Sequence, residues 1–163
     1  MTPFRLSALA LAAFTLSAAV PALAEEKPVD PYTVSDANAG TTPIKGDAVY
    51  KAFHGQAGVQ RIASDLVDRV VKDPRISDIF KAADLERLKR TLAEQFGYIL
   101  GGPVAYTGRD MKSVHKDQGL QMSNFNALVE NLQMAMDKEG VPFWAQNRLL
   151  AKLAPMERVV VVR

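Results

Sequence analysis

Apolar residues recur along most of this chain at helical spacing, and the pattern breaks at prolines and glycines. Val59, Ile62, Ala63, Leu66, Val67, Val70 and Val71 fall at i, i+3, i+4, i+7, i+8, i+11 and i+12, one stripe of a helix about four turns long. Pro74 restarts the chain in a short turn carrying Ile76, Ile79 and Phe80. Asp84 has the side chain to cap a helix whose face gathers Leu85, Leu88, Leu92, Phe96, Ile99 and Leu100. Gly101-Gly102-Pro103 ends that helix.

A loop follows, then a short helix in which Met111, Val114 and His115 sit at i, i+3 and i+4 and share a face. Gly119 closes it. Ser123 is placed to cap the next helix, with Phe125, Leu128, Val129, Leu132, Ala135 and Met136 as its stripe and Gly140 as its stop. The last helix opens at Pro142, offers Phe143, Leu149, Leu150 and Leu153, and bends at Pro155 toward Met156, Val159 and Val160. Only the final valines hint at a period of two. The pattern predicts an all-α fold without internal repeats.

The ends of the chain read differently. Arg5, an apolar run from Leu6 to Val20 and the small residues Ala22-Leu23-Ala24 read as an exported signal peptide over 1–24, with Glu25 as the first mature residue. An uncleaved anchor is the competing reading, since Leu6 to Ala24 approaches the length that spans a bilayer. The clustering of small residues at the end of the run favours cleavage and no stable membrane anchor afterwards, with a periplasmic destination. Residues 25–45, with Pro28, Pro31 and Pro43 and no apolar period, read as a disordered leader of about 25 Å root-mean-square span. Residues 46–163 form one domain.

Composition narrows the chemistry. No cysteine is present, so neither a disulfide, a thiol nucleophile nor a lipid-modified cysteine is available. Without the signal segment the charge balance is 19 basic against 18 acidic residues, interleaved, which argues against nucleic acid as a partner. Neither a His-x-x-x-His pair nor a phosphate-binding glycine loop occurs. Only two histidines exist, His54 and His115. A lone imidazole on an apolar face is more often packed or hydrogen-bonded than metal-bound, so His115 alone leaves both readings open.

From Tyr50 to the C-terminus the sequence resembles the truncated haemoglobins, most closely their first group. The resemblance runs through Tyr50-Lys51-Ala52-Phe53-His54-Gly55-Gln56-Ala57-Gly58, Asp73-Pro74-Arg75 to Phe80, and Arg87-Leu88-Lys89, then through Leu100-Gly101-Gly102-Pro103, Tyr106-Thr107-Gly108-Arg109-Asp110-Met111 and Val114-His115. His54 departs from the pattern, standing where the family usually has the first of two glycines. The resemblance implies a two-over-two helical sandwich holding haem b (iron protoporphyrin IX). It makes His115 the proximal iron ligand and Phe80 a ring packed on the porphyrin, with Leu88, Leu92, Phe96 and Met111 as further cofactor contacts. Gly101 and Gly102 would let the chain round the haem edge, and Arg109 or Tyr106 would reach a propionate or serve a structural role.

The implied function is reversible binding of a diatomic gas, O2, NO or CO, with no redox partner specified. The alternatives are a haem-based redox enzyme, such as a nitric oxide dioxygenase or weak peroxidase, and a haem-free helical interaction module. Many first-group relatives place hydrogen-bond donors on the gas side of the iron. Val67 and Leu92 stand at those positions and Leu88 beside them, and none can donate.

Overall fold

The computed structural model describes residues 26–161, so the signal-peptide reading of 1–24 lies outside the described residues. The chain runs through α1 (Ala48–Ala52), α2 (Gly55–Val70), α3 (Leu85–Ile99), α4 (Met111–His115), α5 (Met122–Lys138), α6 (Phe143–Leu153) and α7 (Glu157–Val160). Tight 3-10 turns occupy Asp36–Ala39, Ser77–Phe80 and Ala154–Met156, and no strand occurs among the described residues. Helix α2 packs chiefly on α3 and α5, while α6 contacts α1, α3 and α5.

Local chemistry sets most helix ends. Asp84 caps α3 as expected, its side chain accepting from the Arg87 amide at 3.1 Å. Asp110 does the same for α4 through Ser113 at 3.0 Å. Helix α5 starts before the expected Ser123 cap: Gln121 and Asn124 form a reciprocal capping box, with Asn124 Oδ1 accepting from the Gln121 amide at 2.9 Å. Helix α4 stops at His115, ahead of Gly119. Phe143, expected on the apolar stripe of α6, is 70% exposed.

The α2 stripe is the spine of the core. Val59, Ile62, Ala63, Leu66 and Val70 are buried against Ala93, Phe96 and Ile99 of α3, Leu132 and Met136 of α5, and Leu149 of α6. Each such aliphatic side chain contributes about 1.5–3 kcal/mol by leaving water. His54 precedes α2 in the left-handed conformation, φ 60°, that a glycine adopts without strain. For a side-chain residue this costs about 1–2 kcal/mol. Its Nδ1 lies 3.0 Å from Glu139 Oε1, at the end of α5.

The disordered-leader reading of residues 25–45 is corrected for residues 26–45. Ala39 is fully buried and Ile44 nearly so, and the Ile44 amide donates to the Ile99 carbonyl at 2.8 Å. Glu26 forms ion pairs with Arg87 at 3.1 Å and Arg90 at 2.5 Å. The segment lacks an apolar period because it buries single side chains and binds through polar groups. It crosses α3 as a strap, held by long-range hydrogen bonds that local pattern does not reveal.

Glu139 joins α2 to α5 at the far end of the core. Its carboxyl accepts from Arg61 Nε at 3.1 and 3.0 Å, and the Arg61 hydrogen bonds, assisted by His54, hold its pKa at about 2 against the opposing effect of burial. A depressed folded-state pKa stabilises the fold above the ordinary carboxylate range and loses that contribution as pH falls toward about 2. Denaturant titrations from pH 7 downward should therefore show Glu139→Gln less stable at pH 7 and with a shallower acid slope. An unchanged slope would remove Glu139 from the acid response.

Candidate cofactor site

Opposite the packed part of the core, the same helices diverge around a cavity of about 200 Å³. Helix α2 contributes Leu66, Val67 and Val70, the turn before α3 contributes Ile79 and Phe80, and α3 contributes Leu88, Leu92 and Phe96. Helix α4 closes one wall with Met111, Val114 and His115, and α5 another with Phe125, Leu128 and Leu132. All six cofactor-contact candidates, Phe80, Leu88, Leu92, Phe96, Met111 and His115, thus line one space. Such an apolar chamber with few polar points is what a large planar hydrophobic cofactor requires.

His115 projects into it because α4 ends there, one turn after Met111. Its Nδ1 lies 2.7 Å from the Met111 carbonyl oxygen, which can only accept, so Nδ1 carries the proton and Nε2 keeps its lone pair. Burial pushes the imidazole pKa below its ordinary value, and the Met111 carbonyl opposes this only partly. The ring is therefore neutral near pH 7 and able to ligate. Among the described residues no group of three His, Asp or Glu side chains gathers to hold a bare ion. A lone imidazole suits a metal that arrives with its remaining ligands already supplied.

The other polar side chains on the cavity wall donate to backbone carbonyls. Thr91 Oγ1 serves Arg87 at 2.9 Å, Gln95 Nε2 serves Ala39 at 2.9 Å, and Tyr106 Oη serves Arg109 at 3.0 Å. Asn124 Nδ2 serves Arg75 at 3.1 Å and Gln118 Nε2 serves Val114 at 2.9 Å. Burial raises the Tyr106 pKa to about 12, so its hydroxyl stays protonated and bound. Val67 is fully buried and, with Leu88 and Leu92, presents only carbon to the space.

Of the two roles open to Tyr106 and Arg109, their contacts support the structural one: Tyr106 is buried, and Arg109 donates to the Asp30 carbonyl at 3.1 Å with its guanidinium 5.3 Å from the Tyr32 ring centroid. Gly101 and Gly102 end α3 without lining the cavity. A Cβ on Gly101, φ 83°, would stand 2.5 Å from the Ile44 carbonyl oxygen, and one on Gly102 would strike the Tyr50 ring. Gln95, overlooked by sequence reasoning, lines the cavity as a buried amide. The signal was present, since Gln95 interrupts the stripe of Leu92, Phe96 and Ile99 with a polar group.

The sequence profile of bacterial-like globins matches residues 48–162. Group 1 truncated hemoglobin GlbN of Mycolicibacterium paratuberculosis is 31% identical over 109 residues, covering 67% of this chain and 80% of the relative. GlbN of a Nostoc species is 30% identical over 113 residues, covering 69% of this chain and 96% of the relative. The crystal structure of the Fe(III) form of truncated hemoglobin from Tetrahymena pyriformis superposes with a TM-score of 0.67 at 23% identity, over 71% of this chain and 98% of the other. That of the 2/2 hemoglobin from Synechococcus, in the cyanomet state with covalently attached heme, gives 0.62 at 22% identity, over 68% and 94%.

The state of His115 can be read directly. Histidine ring signals followed by NMR through a pH titration of the haem-free chain should give His115 a midpoint below the ordinary histidine value. A midpoint at or above that value would contradict the burial of the ring.

Proposed function

The chain belongs to the bacterial-like globin family, and from that premise we propose that it binds haem through His115 and reversibly holds a diatomic gas. The observation that carries the assignment of His115 is its Nδ1 contact with the Met111 carbonyl, which leaves Nε2 as the available nitrogen in an apolar cavity. Haem, when bound, would supply the iron that takes up the gas, with His115 as the residue that holds it. The protein's part is to orient the imidazole, keep it neutral and exclude water.

These tasks fall to separate groups. The Met111 carbonyl fixes tautomer and ring orientation, and by accepting a hydrogen bond from Nδ1–H it raises the basicity of Nε2. Phe80, Phe96, Leu88 and Leu92 supply apolar walls against which a porphyrin packs. Val67, Leu88 and Leu92, which line the cavity, would offer a bound gas no hydrogen-bond donor. The missing interaction is worth about 0.5–1.5 kcal/mol for an ordinary hydrogen bond. Oxygen, which draws negative charge when held, loses by this, whereas carbon monoxide depends little on it.

We also infer that the protein works outside the cytoplasm, in the periplasm. Support comes from the apolar run Leu6 to Val20 followed by Ala22-Leu23-Ala24. Cell fractionation with N-terminal sequencing should find a mature chain starting at Glu25, and an intact Met1 in the cytoplasm would refute export.

The haem assignment is tested by supplying haem to the purified chain and recording ferric, ferrous and carbon monoxide spectra beside His115→Ala. Stoichiometric Soret absorbance that His115→Ala loses or alters is expected. A folded wild-type chain that stays colourless would refute it. Adding a donor by Leu92→Gln should slow oxygen release up to about tenfold, on the scale of one hydrogen bond, while carbon monoxide release changes little. Equal effects on both gases would mean that polarity at this wall does not govern retention.

A further inference from the structure

The geometry points to residues 30–40 as a clamp that sets the position of the proximal helix, with Asp36, Asn38 and Gln95 holding His115 in place indirectly. This rests on His115 being the iron ligand, and it concerns a segment that lies before the family match, which begins at residue 48.

Helix α4 has five residues, too few to be stable alone, and is carried on the loop between Pro103 and Asp110. What fixes that loop therefore helps to place the imidazole, with α7 packed against the same short helix. The strap grips it at successive residues. Asp36 Oδ1 accepts from the Tyr106 amide at 2.8 Å, Tyr32 Oη donates to the Thr107 carbonyl at 2.7 Å, and Asn38 Nδ2 donates to the Gly108 carbonyl at 3.2 Å.

The strap then reaches the helix itself. The Ala39 carbonyl accepts from Gln95 Nε2 at 2.9 Å, and that nitrogen also lies 3.2 Å from Met111 Sδ. Gly40 packs so closely that a Cβ there would stand 2.9 Å from Met111 Cγ. Met111 is the residue whose carbonyl orients His115. A continuous path of contacts thus joins the strap to the imidazole: Ala39, Gln95, Met111, His115.

The test uses the full chain with Asp36→Ala/Asn38→Ala, which spares the buried Ala39 and Ile44, and separately Gln95→Leu. Hydrogen exchange in the haem-free protein should accelerate roughly tenfold or more at amides 106–115 in the double variant, while α5 and α6 exchange as before. In the ferrous haem-loaded protein, the iron–histidine stretching band should shift or broaden in both variants. Asp36→Asn, which keeps the acceptor for the Tyr106 amide, should restore wild-type behaviour in an otherwise unchanged chain. Unchanged exchange at 106–115, or an unchanged band in both variants, would overturn the clamp. A wild-type chain that takes up no haem would instead refute the haem assignment, and the exchange measurement would still decide whether the strap holds the loop.

Discussion

The hydrogen bond between His115 Nδ1 and the Met111 carbonyl is the contact on which the site depends. At 2.7 Å it fixes the tautomer, and it does so within one turn of a five-residue helix. Without it the ring could rotate, and either nitrogen could face the cavity. With it, one nitrogen is committed to the backbone and the other to the chamber. Burial adds the second condition, because a ring that resists protonation keeps its lone pair through the neutral range.

That arrangement has a structural cost. The side chains around the cavity do not pack fully against one another, so the apolar area that stabilises the fold lies mainly on the other side of α2. There Ile62, Ile99, Met136 and Leu149 are almost wholly buried. Disulfides cannot help, since the sequence has no cysteine. Polar links at the periphery tie the helices instead. Arg61 and Glu139 join α2 to α5, Lys89 and Asp68 join α3 to α2 at 3.0 Å, and Glu26 ties the strap to Arg87 and Arg90. A surface ion pair is usually worth little alone, and among these the largely buried Glu139 carries the pH-dependent contribution, while together the pairs fix how the helices meet around the chamber.

How far the sequence disclosed this follows the range of the forces involved. The stripes of α2, α3 and α5 were legible because amphipathic burial repeats every three or four residues, and Asp84 was legible because a cap acts within one turn. His115 and Met111 shared a predicted face for the same reason. The strap was illegible because its bonds span large sequence separations, as with Tyr32 to Thr107 or Asp36 to Tyr106. Its prolines and polar residues resemble those of a flexible linker until their partners are known. The glycine pair misled in a related way: Gly101 and Gly102 ended α3 as predicted, but the close approaches that exclude a side chain come from Ile44 and Tyr50.

Gln95 shows why the polarity of a pocket cannot be counted from residue names. An amide on the wall of a gas-binding cavity would ordinarily suggest a donor for the ligand. Here its nitrogen serves the Ala39 carbonyl beside Met111 Sδ, on the side of the strap and α4. Elsewhere on the wall, Val67 and Leu92 offer only carbon. The buried amide therefore strengthens the frame around the imidazole and adds no free donor to the wall. A donor free to face the cavity would hold a polarised ligand more strongly, whereas a donor spent on the frame constrains His115 instead. The site thus combines two kinds of wall: Met111 beside His115 is tied through Gln95 to the strap, whereas Val67, Leu88 and Leu92 present only carbon.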